Sequence, residues 1–147
     1  MTCMTDKLLD IARAPPIRAS SFQINKRLYI CGGVRLSRTK TEIYRSTFSS
    51  IEYSGTMTQL VSMNQGRGNV SLSGISSRLI SLGDLIFGSP KVHNLKTCES
   101  YSVAYNKWTE LPPLNGARHM PGSILLNSMV AFCFYRAVRF ECALNSI

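Results

Sequence analysis

Apolar and polar residues along this chain follow two patterns, strict alternation and short apolar runs. Residues 22–24 (Phe-Gln-Ile) and 70–72 (Val-Ser-Leu) alternate, which is typical of strands with one buried face. Residues 28–31 and 130–134 are apolar runs flanked by Gly, Asn or Ser, and such runs indicate fully buried strands. The pattern therefore predicts β-structure through most of the chain.

Further strands are predicted after each of these pairs of segments. Residues 50–53 and 100–103 indicate a third strand per unit, and residues 108–111, which precede Pro112, indicate a fourth. Only residues 5–12 suggest a short helix. The longest apolar stretch, 124–135, is interrupted by Asn127 and Ser128 and is shorter than the ~20 residues that span a bilayer, so it predicts two core strands.

The strand pattern repeats at an interval of 51 positions. Leu28, Leu79 and Val130 are equivalent under this offset, and further pairs obey it: Leu60 and Leu111, Met63 and Leu114, Arg67 and Arg118, Gly32 and Gly83. Four short strands in a unit of about 50 residues is the layout of a β-propeller blade. Helical repeats of similar length need a 3.6-residue periodicity, which the sequence lacks.

The repeated residues resemble the kelch repeat. Residues 28–33 (Leu-Tyr-Ile-Cys-Gly-Gly) resemble its first strand and glycine doublet, and residues 105–114 (Tyr-Asn-Lys-Trp-Thr-Glu-Leu-Pro-Pro-Leu), followed by Arg118, resemble the remainder. The resemblance spans about 18–135. It implies structural roles for the residues that carry it: Gly32, Gly33, Gly83, Tyr105 and Trp108.

The predicted fold is all-β, a partial kelch-type β-propeller of about two and a half four-stranded antiparallel blades. Residues 1–17 form an N-terminal segment with a possible short helix, 18–135 form the blades, and 136–147 form a C-terminal tail. The pattern is degenerate, since the second doublet is Gly83-Asp84 and Met57 stands where the next unit has Trp108. Propellers typically have four to eight blades, which leaves three alternatives open: a fragment of a larger propeller, a self-associating chain, or a decayed product.

Composition and charge narrow the function classes. The 147 residues are 44% hydrophobic and carry a formal net charge of +9, but Lys and Arg are scattered, so a nucleic acid or a membrane is not the expected partner. The five cysteines are odd in number and form no C-x-x-C pair. They predict reduced thiols in a cytoplasmic protein. Nuclear and cytoskeletal locations are the alternatives.

No arrangement of residues predicts catalysis, a metal site or a cofactor. His93, expected in a loop, and His119 have no Cys or carboxylate at ligand spacing, and the Gly-containing segments lack the Lys-Ser/Thr of a phosphate loop. The sequence therefore predicts that the protein is not an enzyme.

The expected function is protein–protein interaction through loops. The contact loops are predicted at 34–47, 64–69, 89–96 and 115–120, and their basic residues are the candidate binding residues: Arg35, Arg38, Lys40, Arg67, Lys91, Lys96 and Arg118. Such residues favour an acidic protein partner, and the resemblance implies actin or a ubiquitin-ligase substrate. Self-association through open blade edges, a degenerate protein without independent function, and part of a sugar-binding or oxidase-type propeller are the alternatives.

Overall fold

The computed structural model describes most of the chain, in nine ranges: 17–36, 42–44, 46–82, 85–88, 91–94, 96–116, 122–126, 129–134 and 137–139. All regular secondary structure in these ranges is β-strand. The predicted all-β fold is therefore confirmed, whereas the suggested helix at 5–12 lies outside the described residues. No helix of the described ranges has the length and hydropathy to cross a bilayer.

Two four-stranded antiparallel sheets form the centre of the structure. Sheet 1 has the strand order β1-β2-β5-β6 and sheet 2 the order β7-β8-β11-β12. The strands of sheet 1 are β1 (Ser20–Ile24), β2 (Arg27–Cys31), β5 (Phe48–Glu52) and β6 (Met57–Gln59). Those of sheet 2 are β7 (Ser71–Ile75), β8 (Arg78–Leu82), β11 (Cys98–Ser102) and β12 (Lys107–Leu111).

A third sheet follows, with β13 (Gly122–Leu126), β14 (Met129–Phe134) and β15 (Ala137–Arg139) in that order. The apolar stretch 124–135 thus contributes to two strands, as the sequence predicts. The 136–147 segment, predicted to be a tail, contains β15, which pairs with β14 along Phe132–Phe134. The segment Ala137–Arg139 is too short to be predicted as a strand from the sequence alone.

The structure repeats at the interval found in the sequence. Strands β1, β7 and β13 begin at Ser20, Ser71 and Gly122, each 51 positions after the last. The outer strands keep this offset from Met57 to Trp108, whereas the third strands begin at Phe48 and Cys98, 50 positions apart. The pairing is equivalent, because Met57 pairs with the partner of Leu28 and Trp108 pairs with the partner of Leu79. Sheets 1 and 2 are therefore two copies of one unit.

Each unit has two distinct ends. The short turns 25–26, 53–56, 76–77 and 103–106 lie at one end, called here the turn end. The opposite end, called the hairpin end, contains the connection from β6 to β7 and the segments that follow β2 and β8. Asn25 and Lys26 both have positive φ, which matches the right-handed twist of the strands that their two-residue turn joins.

The main core lies between sheets 1 and 2. Ile24, Tyr29, Cys31 and Phe48 of sheet 1 pack with residues of sheet 2 and of the connection, namely Met63, Val70, Leu72, Leu79, Tyr101 and Trp108. The inner strands also approach closely, since a Cβ on Gly74 would lie 2.5 Å from the ring of Phe22. A second, smaller cluster on the other face of sheet 2 contains Ile80, Leu82, Cys98 and Leu114.

Candidate functional site

Both units carry a two-stranded hairpin at the same place, between their second and third strands. In the first unit the hairpin consists of β3 (Val34–Leu36) and β4 (Glu42–Tyr44), and in the second of β9 (Leu85–Gly88) and β10 (Lys91–Asn94). The loops predicted at 34–47 and 89–96 are therefore partly strand. His93 lies in β10, opposite Ile86, so its predicted loop position is wrong.

Three of the basic residues predicted to bind a partner lie in described segments of the hairpin end. Arg35 pairs with Ile43 in the first hairpin, and Lys91 pairs with Gly88 in the second. Lys96 is exposed just before β11. Arg38, Lys40, Arg118 and the structural Gly83 lie outside the described residues.

Arg67 is not a surface residue, which corrects its predicted role in binding. Its side chain is 0% exposed, and its Nη2 donates to Oε1 of Glu99 at 2.6 Å. Its Nη1 donates to the carbonyl oxygen of Thr97 at 2.9 Å. A buried guanidinium needs such partners because an unpaired buried charge is strongly unfavourable. Sequence reasoning missed this arrangement because Glu99 is 32 positions away.

The Arg67–Glu99 pair fixes the connection between the two sheets. Glu99 lies in β11 of sheet 2, and its second carboxylate oxygen accepts a hydrogen bond from the backbone N–H of Asn64 at 2.8 Å. Asn64 and Arg67 both belong to the segment that leaves β6 of sheet 1. One buried carboxylate therefore binds two points of the connection to sheet 2.

The glycine doublet at the end of β2 contacts this same connection. The backbone N–H of Gly33 donates to the carbonyl oxygen of Arg67 at 2.7 Å. Gly32 has φ +67°, and a Cβ there would lie 2.6 Å from that oxygen. The two glycines therefore allow a left-handed turn and a close backbone contact that a larger residue would obstruct.

Trp108 lies between the two sheets. Its ring packs edge-on against Phe48 of sheet 1, with centroids 5.0 Å apart, and lies 5.2 Å from Tyr101 of its own sheet. Its Nε1 donates to the carbonyl oxygen of Val61 at 3.0 Å. The indole thus combines a large buried surface with a satisfied polar atom.

Tyr105 has a different environment from the other motif residues. It lies in the turn before β12 and is 83% exposed, whereas Tyr101 is 2% exposed and belongs to the core. The hydroxyl of Tyr101 donates to Oδ1 of Asn106 at 2.8 Å. The motif tyrosine is therefore a surface residue of the turn end, which corrects its predicted structural role.

Cys31 lies in the core close to the buried ion pair. Burial raises the pKa of its thiol to about 12, an effect that the positive charge of Arg67 partly opposes. Cys31 and Cys98 are both buried. Within the described part of the chain, no group of three or more His, Cys, Asp or Glu side chains is placed to hold a metal ion.

Comparison with solved structures finds a protein of similar fold. The structure of YjhT is similar to this chain with a TM-score of 0.65 and 14% sequence identity, over 81% of this chain. The match covers 34% of YjhT, so the chain corresponds to about a third of that protein. No family model and no curated protein matches the sequence. The similarity therefore supports a shared all-β fold.

Proposed function

We propose that the chain is part of a kelch-type β-propeller and acts as a protein–protein interaction module without catalytic activity. The observation that carries this proposal is the repetition of one unit, a four-stranded antiparallel sheet with a hairpin inserted after its second strand. The units follow each other at 51 residues, and their inner strands β1 and β7 contact each other. Radial stacking of such sheets is the construction of a propeller.

The residues behind the kelch resemblance support this proposal by their contacts. Gly32 and Gly33 contact the backbone of the connection from β6 to β7, and Trp108 packs between sheets 1 and 2. We infer that the described sheets are blades and that further blades come from a longer protein or from another copy of the chain. The described residues supply two four-stranded sheets and a three-stranded third one, fewer than the four to eight blades that a propeller typically has.

The binding surface in this proposal is the hairpin end. Loops and hairpins that share one end of a rigid β-scaffold form a surface whose residues can vary without affecting the core. Arg35, Lys91 and Lys96 lie at this end, and the chain carries a formal net charge of +9. We therefore propose an acidic protein partner in the cytoplasm, with actin or a ubiquitin-ligase substrate as the partners implied by the kelch resemblance.

The first experiment tests whether the chain folds as an interaction module or is a degenerate protein. Size-exclusion chromatography and circular dichroism should give a discrete species with a β-sheet spectrum. An unfolded or heterogeneously aggregated chain would contradict the proposal and support the alternative of a degenerate protein.

The second experiment measures binding at the hairpin end. Co-sedimentation with actin filaments should detect the wild-type chain in the pellet, and Arg35→Glu and Lys96→Glu should each weaken binding severalfold. Lys26→Glu is the matched control, because it makes the same charge change in a turn at the opposite end of sheet 1. An equal loss in all three variants would remove the hairpin end as the binding surface, and absence of co-sedimentation would remove actin as the partner.

A further inference from the structure

A polar groove lies on sheet 2 at the turn end, away from the hairpins. Its volume is about 350 Å³, and Arg78, Ser100, Ser102, Tyr105, Lys107 and Thr109 line it. Three of these residues form one row across neighbouring strands, because Arg78 pairs with Ser102 and Ser102 pairs with Lys107. Directly opposite residues on a sheet have Cβ atoms about 5 Å apart, so two cations flank one small hydroxyl residue.

The equivalent row of sheet 1 is neutral. There Arg27 pairs across the strands with Glu52, and their side chains form an ion pair with an N–O distance of 2.5 Å. Ser102 replaces the glutamate in sheet 2, and Lys107 adds a second positive charge. The row in sheet 2 thus keeps the arginine, lacks its carboxylate and carries two net positive charges.

The two rows also differ in what covers them. On sheet 1 the face that carries this row is packed against Tyr101 and Trp108 of sheet 2 through Tyr29 and Phe48. The residues at the positions of Tyr29 and Phe48 in sheet 2 are Ile80 and Cys98, which join the smaller cluster. Lys107 and Thr109 remain exposed, so the outer part of the face is accessible.

We propose that this groove binds a carboxylate-bearing segment of a partner protein. A glutamate or aspartate side chain that enters between Arg78 and Lys107 occupies the place that Glu52 takes in sheet 1. The guanidinium can hold a carboxylate in a bidentate pair, and the hydroxyls of Ser100, Ser102 and Thr109 can donate further hydrogen bonds. The net charge of +9 favours an acidic partner over a second copy of this chain.

The groove is separate from the hairpin-end surface, because it lies at the opposite end of sheet 2. The probe is a fluorescein-labelled hexaglutamate peptide, and its binding is followed by fluorescence anisotropy at two salt concentrations. Ser102→Glu supplies an internal carboxylate to Arg78, and Lys107→Glu removes the second cation. We expect each variant to weaken binding at least tenfold, with the circular dichroism spectrum unchanged.

A matched control separates the groove from general electrostatics. Lys26→Glu changes the net charge as much as Lys107→Glu does but lies in a turn of sheet 1, and it should lower affinity less than threefold. An equal loss in this control would overturn the proposal. It would also be overturned if Ser102→Glu bound the peptide like wild type, or if inorganic phosphate competed as strongly as free hexaglutamate.

Discussion

The backbone N–H of Gly33 donates to the carbonyl oxygen of Arg67 at 2.7 Å, and this contact joins the end of β2 to the connection between two sheets. The neighbouring Gly32 approaches the same oxygen so closely that a Cβ would lie 2.6 Å from it. The doublet is therefore required where consecutive repeats pack against each other. Glycine can adopt the left-handed backbone conformation there, and the absence of a side chain allows the close backbone contact.

Gly32→Ala should strongly destabilise the protein. The substitution combines a positive φ with a backbone clash, and each such strain costs about 1–3 kcal/mol. Gly55→Ala is the matched control, because Gly55 also has a positive φ but lies in an exposed turn. Urea unfolding followed by circular dichroism should show a much larger loss for Gly32→Ala, and equal losses would contradict the role of the close contact.

Arg67→Met should destabilise the protein by about 3–5 kcal/mol, because it leaves the Glu99 carboxylate buried without its counter-charge. The double variant Arg67→Met with Glu99→Leu should recover part of this loss, since it removes the uncompensated charge as well. Arg27→Met breaks an exposed ion pair and should shift the urea midpoint only slightly. A midpoint for Arg67→Met as close to wild type as that of Arg27→Met would contradict the buried pair.

Trp108→Ala should cost about 3–5 kcal/mol, as expected for deletion of a buried indole. Trp108→Phe should cost less because it keeps an aromatic ring against Phe48. Met57 occupies the equivalent place in sheet 1 and is 46% exposed, so Met57→Ala is the control and should have a small effect. Similar effects at both positions would show that Trp108 does not lie between sheets.

The Cys31 thiol should stay protonated and unreactive in the folded protein, because burial raises its pKa to about 12 from an ordinary value of 9.0. Above pH 9 the unfolded chain releases this proton and the folded chain retains it. The free energy of unfolding should therefore fall by about 1.4 kcal/mol per pH unit from this group as pH rises from 9 toward 12. Its stabilising contribution is complete below pH 9.

Comparison with Cys31→Ala isolates this contribution. The variant should show a shallower fall of unfolding free energy above pH 9, whatever its stability at neutral pH. Mass spectrometry after iodoacetamide treatment should find Cys31 unmodified in the native protein and alkylated in urea. Alkylation of native Cys31 at the rate of the unfolded chain would contradict its burial.

The sequence predicts the sheets better than the site, for a physical reason. Alternation and apolar runs depend on local burial, so the strands around Leu28 and Leu79 follow from their own residues. The hairpins β3–β4 and β9–β10 do not follow in this way, because their strands are only three or four residues long, too short for alternation to distinguish them from loops. The environments of the other site residues depend on contacts that the local sequence does not reveal. Arg67 is buried in an ion pair with Glu99. Tyr101 is buried and Tyr105 is exposed, although both tyrosines belong to one hairpin.

The stacking of consecutive repeat units is most directly tested by nuclear Overhauser measurements on the labelled chain. Cross-peaks are expected between the indole protons of Trp108 and the ring protons of Phe48, whose ring centroids are 5.0 Å apart although the residues belong to different sheets. These cross-peaks should disappear in Trp108→Ala while the cross-strand contacts within sheet 1 remain. A folded chain that shows the contacts within each sheet but no Trp108–Phe48 cross-peak would contradict the stacking of the two sheets.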